Sequence, residues 1–234
     1  MMVTQARWLA VVPSPADPTW PWQAVLILAG VTGLALAARG ATPGAARWVP
    51  ALLAFLWLSM AVAAVTAAAS EASPLGFAWA AALLAQGVLF GRQALGRGLA
   101  FDRRRGRAAW VGVGLAAYAL LVQPVFFWAS NATSSVGQWL ALTPGSLVIY
   151  TIGVLLLTRP RAPTTLIALP LAIALSGPLW AKTSLPEGIA LATSGVAGLW
   201  LIAARSAGPR AGRPPQDTAA PPHRGWSLDL TDEA

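Results

Sequence analysis

Acid–base chemistry needs ionisable groups that face one another, and this chain keeps its few away from its apolar runs. The single histidine, His223, lies near the C-terminus, and Glu71, Lys182 and Glu187 fall at the edges of apolar segments. A proton relay, a His-based metal site or a Ser-His-Asp triad within those segments lacks its parts. There is no cysteine, which excludes a thiol nucleophile, a disulfide framework and Cys-based metal sites. The last apolar segment has no lysine for a retinal-type Schiff base. The chain is therefore expected not to be an enzyme and to need no cofactor or metal. Catalysis would require Glu71, Lys182 and Glu187 to converge.

What remains polar inside the apolar segments is neutral: Thr66, Gln86, Tyr118, Gln123, Tyr150, Thr151, Ser176, Thr193 and Ser194. Two roles fit such groups. They can hydrogen-bond between helices, at about 0.6 to 2 kcal/mol each. Alternatively, Gln123, Tyr150 and Ser176 can line a pocket for a small neutral solute. Helix-disturbing prolines favour the second role: Pro124, Pro144, Pro170 and Pro178 lie close by in sequence. Proline removes a donor and strips the carbonyl four residues back of its partner. Away from water that carbonyl must be met by a neighbour or must line a cavity. The candidate pocket is thus Gln123, Pro124, Tyr150, Ser176 and Pro178.

The solvent around these groups follows from composition. Of 234 residues, 56% are hydrophobic and 10% charged, against about 25% charged in a soluble domain. A spanning helix needs about 20 apolar residues. Segments of that kind fall at about 21–38, 49–69, 74–95, 108–129, 139–157, 164–181 and 187–204. The expected fold is an all-α membrane protein, a bundle of seven transmembrane helices. Residues 1–19 form a short extracytoplasmic tail that is not a cleaved signal peptide. Residues 205–234, rich in Pro, Gly, Ala and charge, form a disordered cytoplasmic tail.

Orientation is read from arginine placement. Six arginines, Arg92, Arg97, Arg103, Arg104, Arg105 and Arg107, crowd one connection with a single aspartate, Asp102. Lys/Arg bias in short loops marks the cytoplasmic side. With that loop inside, the N-terminus lies outside and the C-terminus inside, and the sixteen basic residues split fourteen inside to two outside, Arg7 and Lys182. Tryptophan prefers both interfaces. Trp20, Trp22, Trp128, Trp139 and Trp180 fall at outer ends, and Trp48, Trp110 and Trp200 at inner ends. Trp57 lies deeper, where its indole N–H requires a partner. The bilayer is the first expected partner, with anionic lipid headgroups at Arg97, Arg103, Arg104, Arg105 and Arg107. Small residues spaced by four, Gly87/Gly91 and Ala190/Ser194/Gly198, allow close helix packing, within the chain or in a homo-oligomer or membrane complex. No basic, aromatic-interleaved module points to nucleic acid.

The entry Trp20-Pro21-Trp22-Gln23 and the segment from Leu142-Thr143-Pro144-Gly145-Ser146 through Tyr150-Thr151-Ile152-Gly153 to Thr158-Arg159-Pro160 resemble a bacterial family of multi-pass membrane proteins known as a domain of unknown function. The resemblance implies a multi-helix architecture over about 20–204 and a bacterial inner-membrane location, with no activity attached. Members of that family read Cys-Pro-Thr-Thr where this chain has Thr143-Pro144-Gly145-Ser146, and carry a histidine in the preceding loop. Any thiol or metal role in the family does not transfer here.

Prolines also echo between the two halves. Pro21 and Gly30 match Pro144 and Gly153 in spacing, Pro50 matches Pro170, and Pro74-Leu75-Gly76 matches Pro186-Glu187-Gly188. A three-plus-one-plus-three parallel repeat would produce this pattern, as would ordinary proline placement at helix starts. Two functions fit the whole: a packing, partner-binding or sensory membrane protein, or a facilitator or carrier of a small neutral solute between the fourth and sixth spans. A polar cavity at mid-depth separates them.

Overall fold

The computed structural model describes residues 20–40, 42–70, 72–96, 98–101, 107–122, 143–158, 163–176 and 185–206. Residues 1–19, Arg97, Arg103, Arg104, Arg105, Gln123, Pro124, Pro178 and the tail from 207 onward lie outside them. Among the described residues every regular element is helical: α1 (Trp20–Arg39), α2 (Pro43–Ser70), α3 (Pro74–Leu95), α4 (Arg107–Ala117), α5 (Pro144–Leu156), α6 (Thr164–Leu175) and α7 (Leu185–Ser206). Helix α4 runs on through a π-helical turn, Tyr118–Val122. The one extended contact among these residues is an antiparallel bridge between Phe101 and Thr158.

Helices α1, α2 and α3 are long and apolar enough to cross a membrane. The apolar stretches of the other four are shorter over the described residues: Arg107–Val122, Pro144–Leu156, Thr164–Leu175 and Gly188–Trp200. Several helix ends depart from the apolar segments, each for a local reason. Helix α2 starts at Pro43 rather than near residue 49, because the Thr42 hydroxyl accepts the Ala45 N–H at 3.1 Å and caps it early. Helix α5 starts at Pro144 rather than 139. Thr143 is its extended N-cap, accepting the Ser146 N–H at 3.2 Å, and Pro144 suits the first helical position. Helix α6 gives way to a turn at Ser176.

Helices α2 and α3 form a hairpin through a tight connection. Ala72 takes a left-handed φ of 48°, and Ser73 caps α3 by accepting the Gly76 N–H at 3.1 Å. Small residues let the two helices approach. A Cβ on Gly87 would stand 2.8 Å from the Leu58 side chain and 3.2 Å from its backbone nitrogen. Helices α4 and α5 come closer still. A Cβ on Gly112 would lie 2.5 Å from the Gly153 carbonyl oxygen, and one on Gly153 would lie 2.6 Å from that of Gly112. Helix α7 lies on α6 and α5 through Gly195, over Ala174, and Gly198, over Leu171 and Ile152. Helix α5 ends up at the centre, with every residue from Gly145 to Leu156 buried.

Pro50 sits inside α2, so its ring deprives the Ala46 carbonyl of a helical donor. The Leu99 N–H fills that place at 2.8 Å. The approach is so close that a Cβ on Gly98 would lie 2.5 Å from the Ala46 oxygen, and Gly98 has φ +71°. Only glycine suits both conditions. Gly98, Leu99 and Phe101 are buried, so the connection leaving α3 is clamped to the start of α2 and the end of α5.

Glycine at a backbone crossing predicts opposite outcomes at two α4–α5 positions. Gly153→Ala should lower the thermal midpoint in detergent, by an overpacking cost of about 1–3 kcal/mol. Gly114→Ala, whose Cβ meets nothing within 4 Å, should raise it or leave it unchanged, because alanine favours a helix by about 1 kcal/mol. Matching shifts in the two variants would contradict the close crossing.

Candidate functional site

Two of the neutral polar groups, Tyr150 and Thr151, lie on α5 and bond to neighbouring helices. Gln86 bonds to α6, while Thr66, Ser176, Thr193 and Ser194 donate within their own helices. Tyr150, 1% exposed, donates from its hydroxyl to the Gly30 carbonyl of α1 at 2.7 Å. Room for that hydroxyl comes from Gly33, where a Cβ would stand 2.8 Å from Tyr150 Oη. The residue after Tyr150 turns towards α2. Thr151 Oγ1 accepts the Trp57 indole N–H at 3.0 Å and donates to its own helix at Leu147 O, 2.7 Å away. Trp57 is fully buried, with its ring 6.5 Å from that of Phe90. The deep tryptophan thus has the partner its indole requires.

A second cross-link repeats the proline logic of α2. Pro170 lies inside α6 and strips the Leu166 carbonyl of its helical donor. Gln86 of α3, buried, donates from Nε2 to Leu166 O at 3.0 Å. The freed carbonyl is met by a side chain of a neighbouring helix. At the start of α5, Thr143 and Ser146 are buried, with their hydroxyls 2.8 Å apart.

Of the five candidate pocket residues, two are described, and both are engaged. Tyr150 is tied to α1, and Ser176 donates to Ile173 O of its own helix at 2.6 Å. Gln123, Pro124 and Pro178 lie outside the described residues. Gln86, Trp57 and Thr151 make polar links between helices, as Tyr150 does, and Gly30 and Gly33 supply the acceptor and the space for the Tyr150 hydroxyl. The signal for them was a Gly-x-x-Gly pair within an apolar segment, a notch wide enough for a phenol. Among the described residues no three His, Cys, Asp or Glu side chains gather. The chemistry that these described groups offer is neutral hydrogen bonding.

The echoing positions of the two halves do different work. Gly30 offers a carbonyl to Tyr150, whereas Gly153 abuts Gly112. The carbonyl freed by Pro50 takes a backbone donor, and that freed by Pro170 takes a side chain.

Over the described residues, fold and centre together define a helical, apolar protein with three helices fit to cross a membrane and an interior linked by neutral hydrogen bonds. The chain belongs to DUF6064, a family of unknown function, whose model matches residues 6–213. No curated protein and no solved structure matches it.

The hydrogen bonds rank two substitutions. Gln86→Leu should cost the more, about 1–3 kcal/mol, because it abandons a buried carbonyl with no other donor. Tyr150→Phe should cost about 1 kcal/mol, because Gly30 O keeps its place in the α1 ladder. Denaturation midpoints of the two variants in one detergent give the order, and the reverse order would refute the role given to Pro170.

Proposed function

We propose that this chain is a seven-span integral protein of the bacterial inner membrane, with its N-terminus outside and its C-terminus and arginine-rich connection in the cytoplasm. Its role is that of a membrane-embedded scaffold or partner-binding protein, sensory in the sense that a partner rather than a transported solute is what it meets. The observation that carries this is the engagement of its central polar groups: Tyr150, Thr151, Trp57 and Gln86 are each spent on neighbouring helices. A path for a solute would need such groups facing an opening. Helices α1, α2 and α3 support the spanning part. Helices α5 and α6, at about 20 and 18 Å by a rise of 1.5 Å per residue, need flanking chain to reach across about 30 Å of hydrocarbon. In the proline echo Pro21, Pro74, Pro144 and Pro186 stand at helix starts, whereas Pro50 and Pro170 lie inside α2 and α6.

Two measurements test the proposal. The natural chain has no cysteine, so Arg104→Cys and Ala132→Cys each give a single label site. In intact spheroplasts an impermeant maleimide should modify the variant at 132, and the one at 104 only after permeabilisation; the opposite pattern would reverse the orientation. In proteoliposomes the chain should give no more flux of small neutral solutes, such as polyols, urea or sugars, than protein-free vesicles. A saturable flux lowered by Gln123→Leu or Tyr150→Phe would replace the scaffold with a carrier.

A further inference from the structure

Among residues whose exposure the structure describes, the charged ones are Arg39, Arg47, Arg92 and Arg107, and all four are exposed. The fold brings them to one end of the bundle. Arg39 closes α1, and the short stretch 40–42 separates it from α2, where Arg47 lies in the second turn. Arg92 lies in the last turn of α3. The chain leaving α3 is fixed to the same end of α2 by the Leu99 N–H on Ala46 O at 2.8 Å. It then pairs with Thr158, at the end of α5, through Phe101. Arg107 follows six positions later as the first residue of α4.

Large apolar side chains alternate with these arginines. Trp48 is 64% exposed beside Arg47, Trp110 is 61% exposed one turn beyond Arg107, and Leu95 is 89% exposed one turn beyond Arg92. A soluble anion would have no use for that apolar rim. A phospholipid uses both parts, because guanidinium forks suit phosphate oxygens and indoles settle at the glycerol and headgroup level.

We propose that the end of the bundle bearing Arg39, Arg47, Arg92 and Arg107 binds the phosphate headgroups of anionic phospholipids, with Trp48, Trp110 and Leu95 seated in the interface between them. The site goes beyond a count of basic residues. Four arginines from four helix ends share one end of the bundle, where the Leu99 N–H is clamped to Ala46 O and Phe101 is bridged to Thr158. It rests on the membrane-spanning proposal above, and the two fail separately. A chain that resists carbonate extraction yet shows no headgroup preference loses the site and keeps the spans.

The test uses the full chain in detergent, offered phosphatidylglycerol and phosphatidylcholine in equal amounts, with retained lipid counted by native mass spectrometry. Wild type should retain phosphatidylglycerol in preference. Arg47→Gln, Arg92→Gln and Arg107→Gln should each weaken that preference about fivefold, and Lys182→Gln should not. Replacement of the same arginines by lysine should keep most of the preference, which separates loss of charge from loss of fold. Raising the salt concentration should erode the preference in wild type, a readout that needs no variant. Equal retention of the two lipids, a preference indifferent to salt, or one that survives all three glutamine substitutions overturns the proposal. So does full displacement of phosphatidylglycerol by millimolar inorganic phosphate, which would mark a site for a free anion.

Discussion

An apolar interior offers no water to a carbonyl that has lost its helical donor, and two prolines create that situation here. Pro50 in α2 and Pro170 in α6 each free the carbonyl four residues earlier, and each freed oxygen is met by another part of the chain. Leaving a buried carbonyl without a donor costs about 1–3 kcal/mol. Each proline therefore dictates a tertiary contact. Pro50 draws the chain leaving α3 back onto α2, and Pro170 draws α3 onto α6 through Gln86. The middle helix pair and the later helices are joined by the repair of these two gaps.

Around that constraint the helices meet through glycine. Gly87, Gly112, Gly153 and Gly195 let neighbours come within reach of backbone atoms. Such close packing gains dispersion contacts along both helices. Helix α5 illustrates the result. It is buried along its length and bears no ionisable group other than the Tyr150 phenol. It holds α4 by shape, α1 through a phenol and α2 through a threonine.

Some of this arrangement is legible in residue order. The apolar segments give helices, Trp57 at depth demands a hydrogen-bond acceptor, and Gln86 is one of the few polar side chains in its run. The choice between an interhelical bond and a pocket wall for Tyr150 is not legible, because it depends on which helix faces the ring. Helix starts are likewise set locally. Thr42 and Thr143 fix where α2 and α5 begin by capping their N–H groups, and apolarity is silent on that choice. The crossing of Gly112 and Gly153 escapes notice for a different reason: glycine is frequent here, 22 of 234 residues, and pairs of glycines far apart in sequence have no local signature.

The phenol of Tyr150 in the notch of Gly30 and Gly33 also fixes the rotational phase of α1. A helix held by apolar ridges alone can settle into a neighbouring groove, turned by roughly one residue's 100°, at small loss. Here such a turn would swing a side chain into the space the hydroxyl occupies and break a buried bond. Rotation of the first helix is thereby coupled to the seating of one phenol.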